Sequence, residues 1–148
     1  MNRRFFIAAA AIAVLPDAGF AAEPELFTGL VKGVAVGGYD AVSYFGGDGP
    51  QRGVEEFSTI WKGAAWRFSS RANLEAFKAD PAKYEPQYGG YCAYAVSQGS
   101  TAKAVPEAWT VVGGKLYLNY SLDVRKTWSE DIPGNIVKAD GNWPGVLN

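Results

Sequence analysis

Cys92 is the only cysteine of a 148-residue chain that contains no histidine. It follows a Gly-Gly pair in the run Tyr88-Gly-Gly-Tyr-Cys-Ala-Tyr-Ala-Val96. One thiol without an imidazole excludes a Ser-His-Asp triad, a Cys-His dyad, a His-bearing zinc site and a proximal-His haem. The chemistry left belongs to Cys92, carboxylates, aromatic rings, hydroxyls and backbone groups. A short helix over Cys92 to Ser97, closed by Gly99 in the left-handed conformation, would put the thiol in a first turn. Unpaired N–H groups and the positive end of the dipole would favour the thiolate there. On that reading Cys92 is a soft-metal ligand or a redox-sensitive nucleophile. On the other it is a small buried apolar residue among Ala93, Ala95 and Val96, as free cysteines commonly are. Both readings stand at this point.

A metal held by Cys92 needs co-ligands. The sole methionine is Met1, so oxygen donors would come from Asp40, Asn119, tyrosine hydroxyls or a second molecule. Tyr84, Tyr88, Tyr91 and Tyr94 crowd around Gly89-Gly90 and could line a pocket with their polar tips, bordered by Gln87 and by Asn119-Tyr120. As core residues they would instead keep their hydroxyls satisfied at the rim. Asp40, in the Gly37-Gly-Tyr-Asp40 turn, either presents its carboxylate to a ligand or bonds nearby backbone N–H groups in an Asx turn. Glu55 and Glu56 are neighbours on an expected strand, face opposite sides and cannot pair as acid and base. Gly113-Gly114 lacks the Lys-Ser/Thr of a phosphate loop and is a turn.

The elements positioning these residues are short. Val54 to Trp61 and Ala64 to Ser69 flank Lys62-Gly63, and Trp109 to Val112 and Lys115 to Tyr120 flank Gly113-Gly114, which predicts two β-hairpins. In the second, Leu116, Leu118 and Tyr120 share one face, with Lys115, Tyr117 and Asn119 on the other. Ala41 to Phe45 suits a short strand. Ser70 caps an expected helix from Arg71 to Ala79, with Leu74 and Phe77 inward, that Asp80-Pro81 ends. Ser121 caps another from Leu122 to Asp131. Val124, Trp128 and Ile132 form its core stripe, continued by Ile136 past a break at Pro133-Gly134. No internal repeat or low-complexity segment is expected. The fold class is α+β, a small antiparallel sheet of β-hairpins packed with short helices.

The first residues read as an export signal. Arg3 and Arg4 precede an apolar stretch from Phe5 to Leu15, too short for a transmembrane helix, and Gly19 and Ala21 place a cleavage site after residue 21. Arg3-Arg4-Phe5-Phe6-Ile7 also fits the twin-arginine pattern, and an ordinary secretory n-region fits equally. A periplasmic location without a membrane anchor after cleavage is expected, with residues 22–148 forming a single domain. Loss of Arg3, Arg4 and Asp17 leaves twelve basic and fourteen acidic side chains. Such a chain has no electrostatic footprint for nucleic acid. One cysteine cannot make an internal disulfide, so the fold depends on burial, and 14% aromatic residues supply the means.

The segments GYDAVSYF (38–45), FSTIWKGAAWRFSSRANLEAFKADPAKYEPQYGGYCAYAVSQG (57–99) and AWTVVGGKLYLNYS (108–121), with the closing W–DIPG–I–AD–NWP elements (128–144), resemble exported bacterial YHS-domain proteins. Ala64 to Tyr84 resembles the YHS core itself. The resemblance, taken with the thiolate reading of Cys92, implies a non-enzymatic binding module for a metal ion, copper-like, or a small ligand near Cys92. Its site would comprise Asp40, Tyr88, Tyr91, Cys92, Tyr94 and Asn119, with Cys92 the metal ligand. Metal-associated members carry cysteines at the turn that Ser69 and Ser70 occupy here. Two further readings stay open: a thiol redox sensor or enzyme using Cys92, and a structural domain that docks another exported protein.

Overall fold

The tightest instructions in the chain are two turns. Lys62, Gly63, Gly113 and Gly114 all hold positive φ, at 49°, 74°, 59° and 73°, the backbone of a two-residue turn whose twist suits a hairpin. In the computed structural model, which describes residues 22–148, β1 (Val54–Trp61) therefore pairs antiparallel with β2 (Ala64–Phe68), and β3 (Val105–Val112) with β4 (Lys115–Asn119). The result is two separate two-stranded sheets, surrounded by short helices in an α+β arrangement. The export signal read over residues 1–21 lies outside the described residues. Among the described residues no helix is long and apolar enough to cross a membrane.

Serine caps set the next elements. Ser70 Oγ accepts the Asn73 N–H at 3.1 Å to start α1 (Arg71–Ala79), and Ser121 Oγ accepts the Val124 N–H at 3.1 Å to start α4 (Leu122–Ser129). Leu74 and Phe77 turn inward from α1. Pro81 opens α2 (Pro81–Tyr84), which stops where Glu85 is forced extended before Pro86. Between the sheets, α3 (Ala93–Ser97) closes in a Schellman motif, Ser100 N–H bonding the Ala95 carbonyl and Gly99 N–H the Val96 carbonyl.

Four expectations need correction. Ala41 to Phe45 is not a strand, because Asp40 accepts the Val42 and Ser43 N–H groups and winds the chain into a 3₁₀ turn over Ser43–Gly46. The break after α4 falls at Glu130-Asp131 rather than at Pro133-Gly134. Asp131 Oδ1 accepts the Gly134 N–H at 3.0 Å and starts α5 (Ile132–Asn142), whose first turn accommodates Pro133 because a proline there forfeits no helical bond. β3 begins at Val105 rather than Trp109, since a bulge between them lets pairing with Asn119 resume. Tyr120 does not join the apolar face of β4 but stands exposed.

β4 is instead buried on both sides. Leu116 and Leu118 pack into a first core with Trp66, Phe68 and Phe77, while Tyr117 packs into a second with Tyr88, Val96, Trp128 and Ala139. Of the expected α4–α5 stripe, Trp128 is fully buried and Ile132 and Ile136 pack beside it.

The chain also contains an internal repeat, contrary to the sequence reading. Val36-Gly37-Gly38 (φ 55°, 59°, 83°) and Tyr88-Gly89-Gly90 (φ 58°, 64°, 83°) trace the same left-handed path into Tyr39 and Tyr91. Each loop is followed by a hairpin with a bulge at the same place, a serine-capped helix, and an aspartate in the same rare conformation. Those aspartates are Asp80 (φ −155°, ψ 77°) and Asp131 (φ −149°, ψ 73°). Even the isolated parallel bridges match, Val34 to Ala65 and Pro86 to Leu116. The two halves differ most at their ends. α2 stops at Tyr84, whereas α5 continues to Asn142 until Trp143 is held extended before Pro144.

Candidate functional site

The repeat places Asp40 and Cys92 at equivalent positions, each just after a Gly-Gly-Tyr. Asp40 is fully buried. Its Oδ1 accepts the Val42 and Ser43 N–H groups at 2.8 and 3.1 Å. Its Oδ2 accepts Ser69 N–H, Ser69 Oγ–H and Asn73 Nδ2–H, each at 2.8 Å. This carboxylate ties the Gly-rich loop to the end of β2 and to α1, with no lone pair facing a ligand.

In the second half the acceptor has moved. Asn119, fully buried at the end of β4, aims Oδ1 at the Tyr94 N–H at 3.0 Å, the counterpart of the Val42 N–H that Asp40 holds. Cys92, 1% exposed, caps α3 rather than lying in its first turn, and its Sγ–H donates to the same Asn119 Oδ1 at 3.5 Å. The thiol is walled from solvent, beside an amide oxygen rather than among hydrocarbon alone.

These surroundings do not fit a metal ion. No group of three or more His, Cys, Asp or Glu stands close enough to hold one among the described residues. The buried polar atoms without partners there are Asn119 Nδ2 and Trp128 Nε1, both N–H donors that a cation cannot use. A sealed thiol also predicts chemical inertness. Native protein should react with iodoacetamide far more slowly than a model thiol, and at the model rate once unfolded in guanidinium. Rapid alkylation of folded protein would show that Cys92 is reachable after all.

The tyrosines lead elsewhere. Tyr88 O–H donates to Asp140 Oδ1 at 2.8 Å, and Tyr91 O–H to the Pro24 carbonyl at 2.6 Å. Burial, and then the bond and charge of Asp140, raise the Tyr88 phenol well above the ordinary tyrosine range. Burial, with Glu23 secondary, pushes Tyr91 up to about 12. Both stay protonated donors at neutral pH. Tyr88 and Tyr91 pack against Trp143 at centroid distances of 6.0 and 6.2 Å.

Beside this aromatic group opens a cleft of about 330 Å³, walled by Glu25, Lys62, Tyr88, Lys115, Asp140 and Trp143 and lined also by Glu85 and Gln87. Its parts come from five places: both hairpin turns, the Gly-Gly loop, α5 and an N-terminal strap. Lys62 sits 3.2 Å from Glu25 and 3.3 Å from Glu85, over the Trp61 ring at 4.7 Å. The strap is fastened along its length. Glu23 N–H bonds the Leu147 carbonyl at 2.7 Å, Phe27 N–H bonds the Gly89 carbonyl at 2.9 Å, and Leu26 is buried.

Of the residues singled out in the sequence, Tyr88 and Gln87 reach this cleft, and Tyr91 backs it through Trp143. Cys92 and Asn119 form a separate buried cluster that the Tyr94 backbone N–H joins, and Asp40 lies in the other half. Sequence reasoning missed Lys62, Lys115, Asp140 and Trp143, none of which falls in a chemical motif. The repeated Gly-Gly-Tyr was the available signal, because it aligns the halves and exposes where they diverge.

A larger groove of about 450 Å³ runs over the first half beside Ser43, Asn73, Lys83 and Tyr84. Two of its polar side chains are already committed, Asn73 Nδ2 to Asp40 and the Ser43 hydroxyl between the Asp40 and Gly49 carbonyls. No protein-family model, curated protein or solved structure matches this chain.

Proposed function

We propose that this chain is an exported, non-catalytic binding module of the YHS kind that takes a small polar molecule in the cleft beside Tyr88. The observation carrying this reading is that the cleft is built where the two halves differ. Gln87, Tyr88 and Lys115 stand where the first half has Ala35, Val36 and Ala64. Asp140 and Trp143 lie on or just beyond the helical extension that the first half lacks. A backbone pattern present twice, with polar and aromatic side chains gathered where its two copies and the N-terminal strap meet, is what a grafted binding site requires. The cleft volume, at the small end for ligand pockets, suits a small metabolite. The one hydroxyl–carboxylate pair in the cleft, Tyr88 with Asp140, holds its phenol protonated as a donor rather than an activated nucleophile, which favours binding over catalysis.

The test is a metabolite-mixture screen followed through the indole N–H signals in nitrogen-15 NMR, with a Trp143→Phe variant assigning the relevant peak. At least one class of small polar compound is expected to shift the Trp143 signal at sub-millimolar concentration while the buried Trp66 signal stays still. If millimolar mixtures of amines, amino acids, sugars and carboxylates all leave Trp143 unmoved, the reading is wrong.

A further inference from the structure

We infer that the cleft selects a small organic ammonium ion, a deeper statement of the binding role proposed above and dependent on it. Three carboxylates, Glu25, Glu85 and Asp140, face two ammonium groups, Lys62 and Lys115. Lys62 is held by both Glu25 and Glu85, so that triad already carries one uncompensated negative charge. Asp140 has no ion-pair partner among the described residues. Its bond from the Tyr88 hydroxyl occupies Oδ1 and leaves the charge unneutralised. Only Lys115, exposed at the start of β4, offers a positive charge that no carboxylate engages among the described residues.

An anion entering here would gain one exposed lysine and meet three carboxylates. An ammonium ion would meet Asp140 and the triad, with the half-buried Trp143 ring on its flank. An indole face is the best aromatic partner for an alkylammonium group. Tyr88, a neutral donor, adds no opposing charge. Its left-handed backbone (φ 58°) is held by the Gly-Gly loop and delivers its hydroxyl to Asp140.

Three probes of one shape and different charge decide the matter: tert-butylammonium, tert-butanol and pivalate, titrated at low salt against the full mature chain. The Trp143 indole signal is the readout. Tert-butylammonium is expected to bind at least tenfold more tightly than tert-butanol, with pivalate weakest. Asp140→Asn, a change at an exposed residue, is expected to erase that tenfold preference while leaving the circular dichroism spectrum unchanged. Pivalate binding as well as tert-butylammonium, an undiminished preference in Asp140→Asn, or no binding by any of the three overturns the inference. The binding role itself fails only if the broader metabolite screen is also silent, so the two failures are separable.

Discussion

Replacing Asp40 by alanine is expected to lower the unfolding free energy by about 3 kcal/mol or more, seen as a fall in Tm of roughly 10 °C. Five donors converge on this one carboxylate, from two backbone amides of its own turn, from Ser69 twice, and from Asn73. Removing it strands buried donors at a single point, and each such group costs about 1–3 kcal/mol when water cannot reach it. Asp40→Asn should be scarcely better, although it preserves shape. Whichever way the amide is turned, its NH₂ meets donors, two at the Oδ1 position or three at the Oδ2 position. Asp48→Asn in the neighbouring exposed loop should be silent within about 0.5 kcal/mol. Equilibrium denaturation of the three variants checks the claim, and an Asp40→Asn protein as stable as the parent would refute it.

The same carboxylate shows how far the sequence could be read. Its alternatives were an Asx turn and a ligand group, and short-range chemistry favoured the turn. What no local rule could supply was Ser69 and Asn73 arriving from a distant strand end and helix start. Hairpin turns and helix caps were legible for the reason the Asx turn was, because Lys62-Gly63, Gly113-Gly114, Ser70 and Ser121 act on neighbours within four positions. Ala41 to Phe45 misled because a short apolar run holding a β-branched and two aromatic residues resembles a strand, while Asp40 bonds its amides before any partner strand can.

Cys92 misled differently. A short helix over Cys92 to Ser97 is found from Ala93, but a thiol at its cap can point to solvent or inward, and Asn119, distant in sequence, decides for inward. The cleft was least legible of all. Lys62 and Lys115 belong to different hairpins, Asp140 to a helix whose length depends on a terminal proline, and Glu25 to a strap resembling a loose leader. Only the repeat, carried in the sequence by little beyond the shared Gly-Gly-Tyr because Val36 and Tyr88 or Asp40 and Cys92 share no chemistry, shows where two halves of one backbone pattern diverge.

That duplicated frame supplies the control for the other large effect. Gly89→Ala and Gly37→Ala place a Cβ on equivalent backbone, with φ of 64° and 59°, so the left-handed strain of roughly 1–2 kcal/mol is common to both. Their surroundings differ. A Cβ on Gly37 would come within 3.1 Å of the Leu30 Cδ1, the end of a flexible side chain that can rotate away. A Cβ on Gly89 would overlap the Glu25 carbonyl oxygen, which belongs to the strap and cannot move alone. Glu25 is fastened through Lys62, and Phe27 bonds the Gly89 carbonyl itself. The strap must therefore lift as a unit, exposing buried Leu26 and removing one wall of the cleft. Gly37→Ala is expected to cost about 1–2 kcal/mol, whereas Gly89→Ala should exceed it by at least about 2 kcal/mol. It should also abolish binding in the cleft and raise amide hydrogen exchange selectively over residues 23–27. Equal destabilisation by the two alanines, with exchange in the strap unchanged, would mean that the N-terminal segment is not the wall on which the cleft depends.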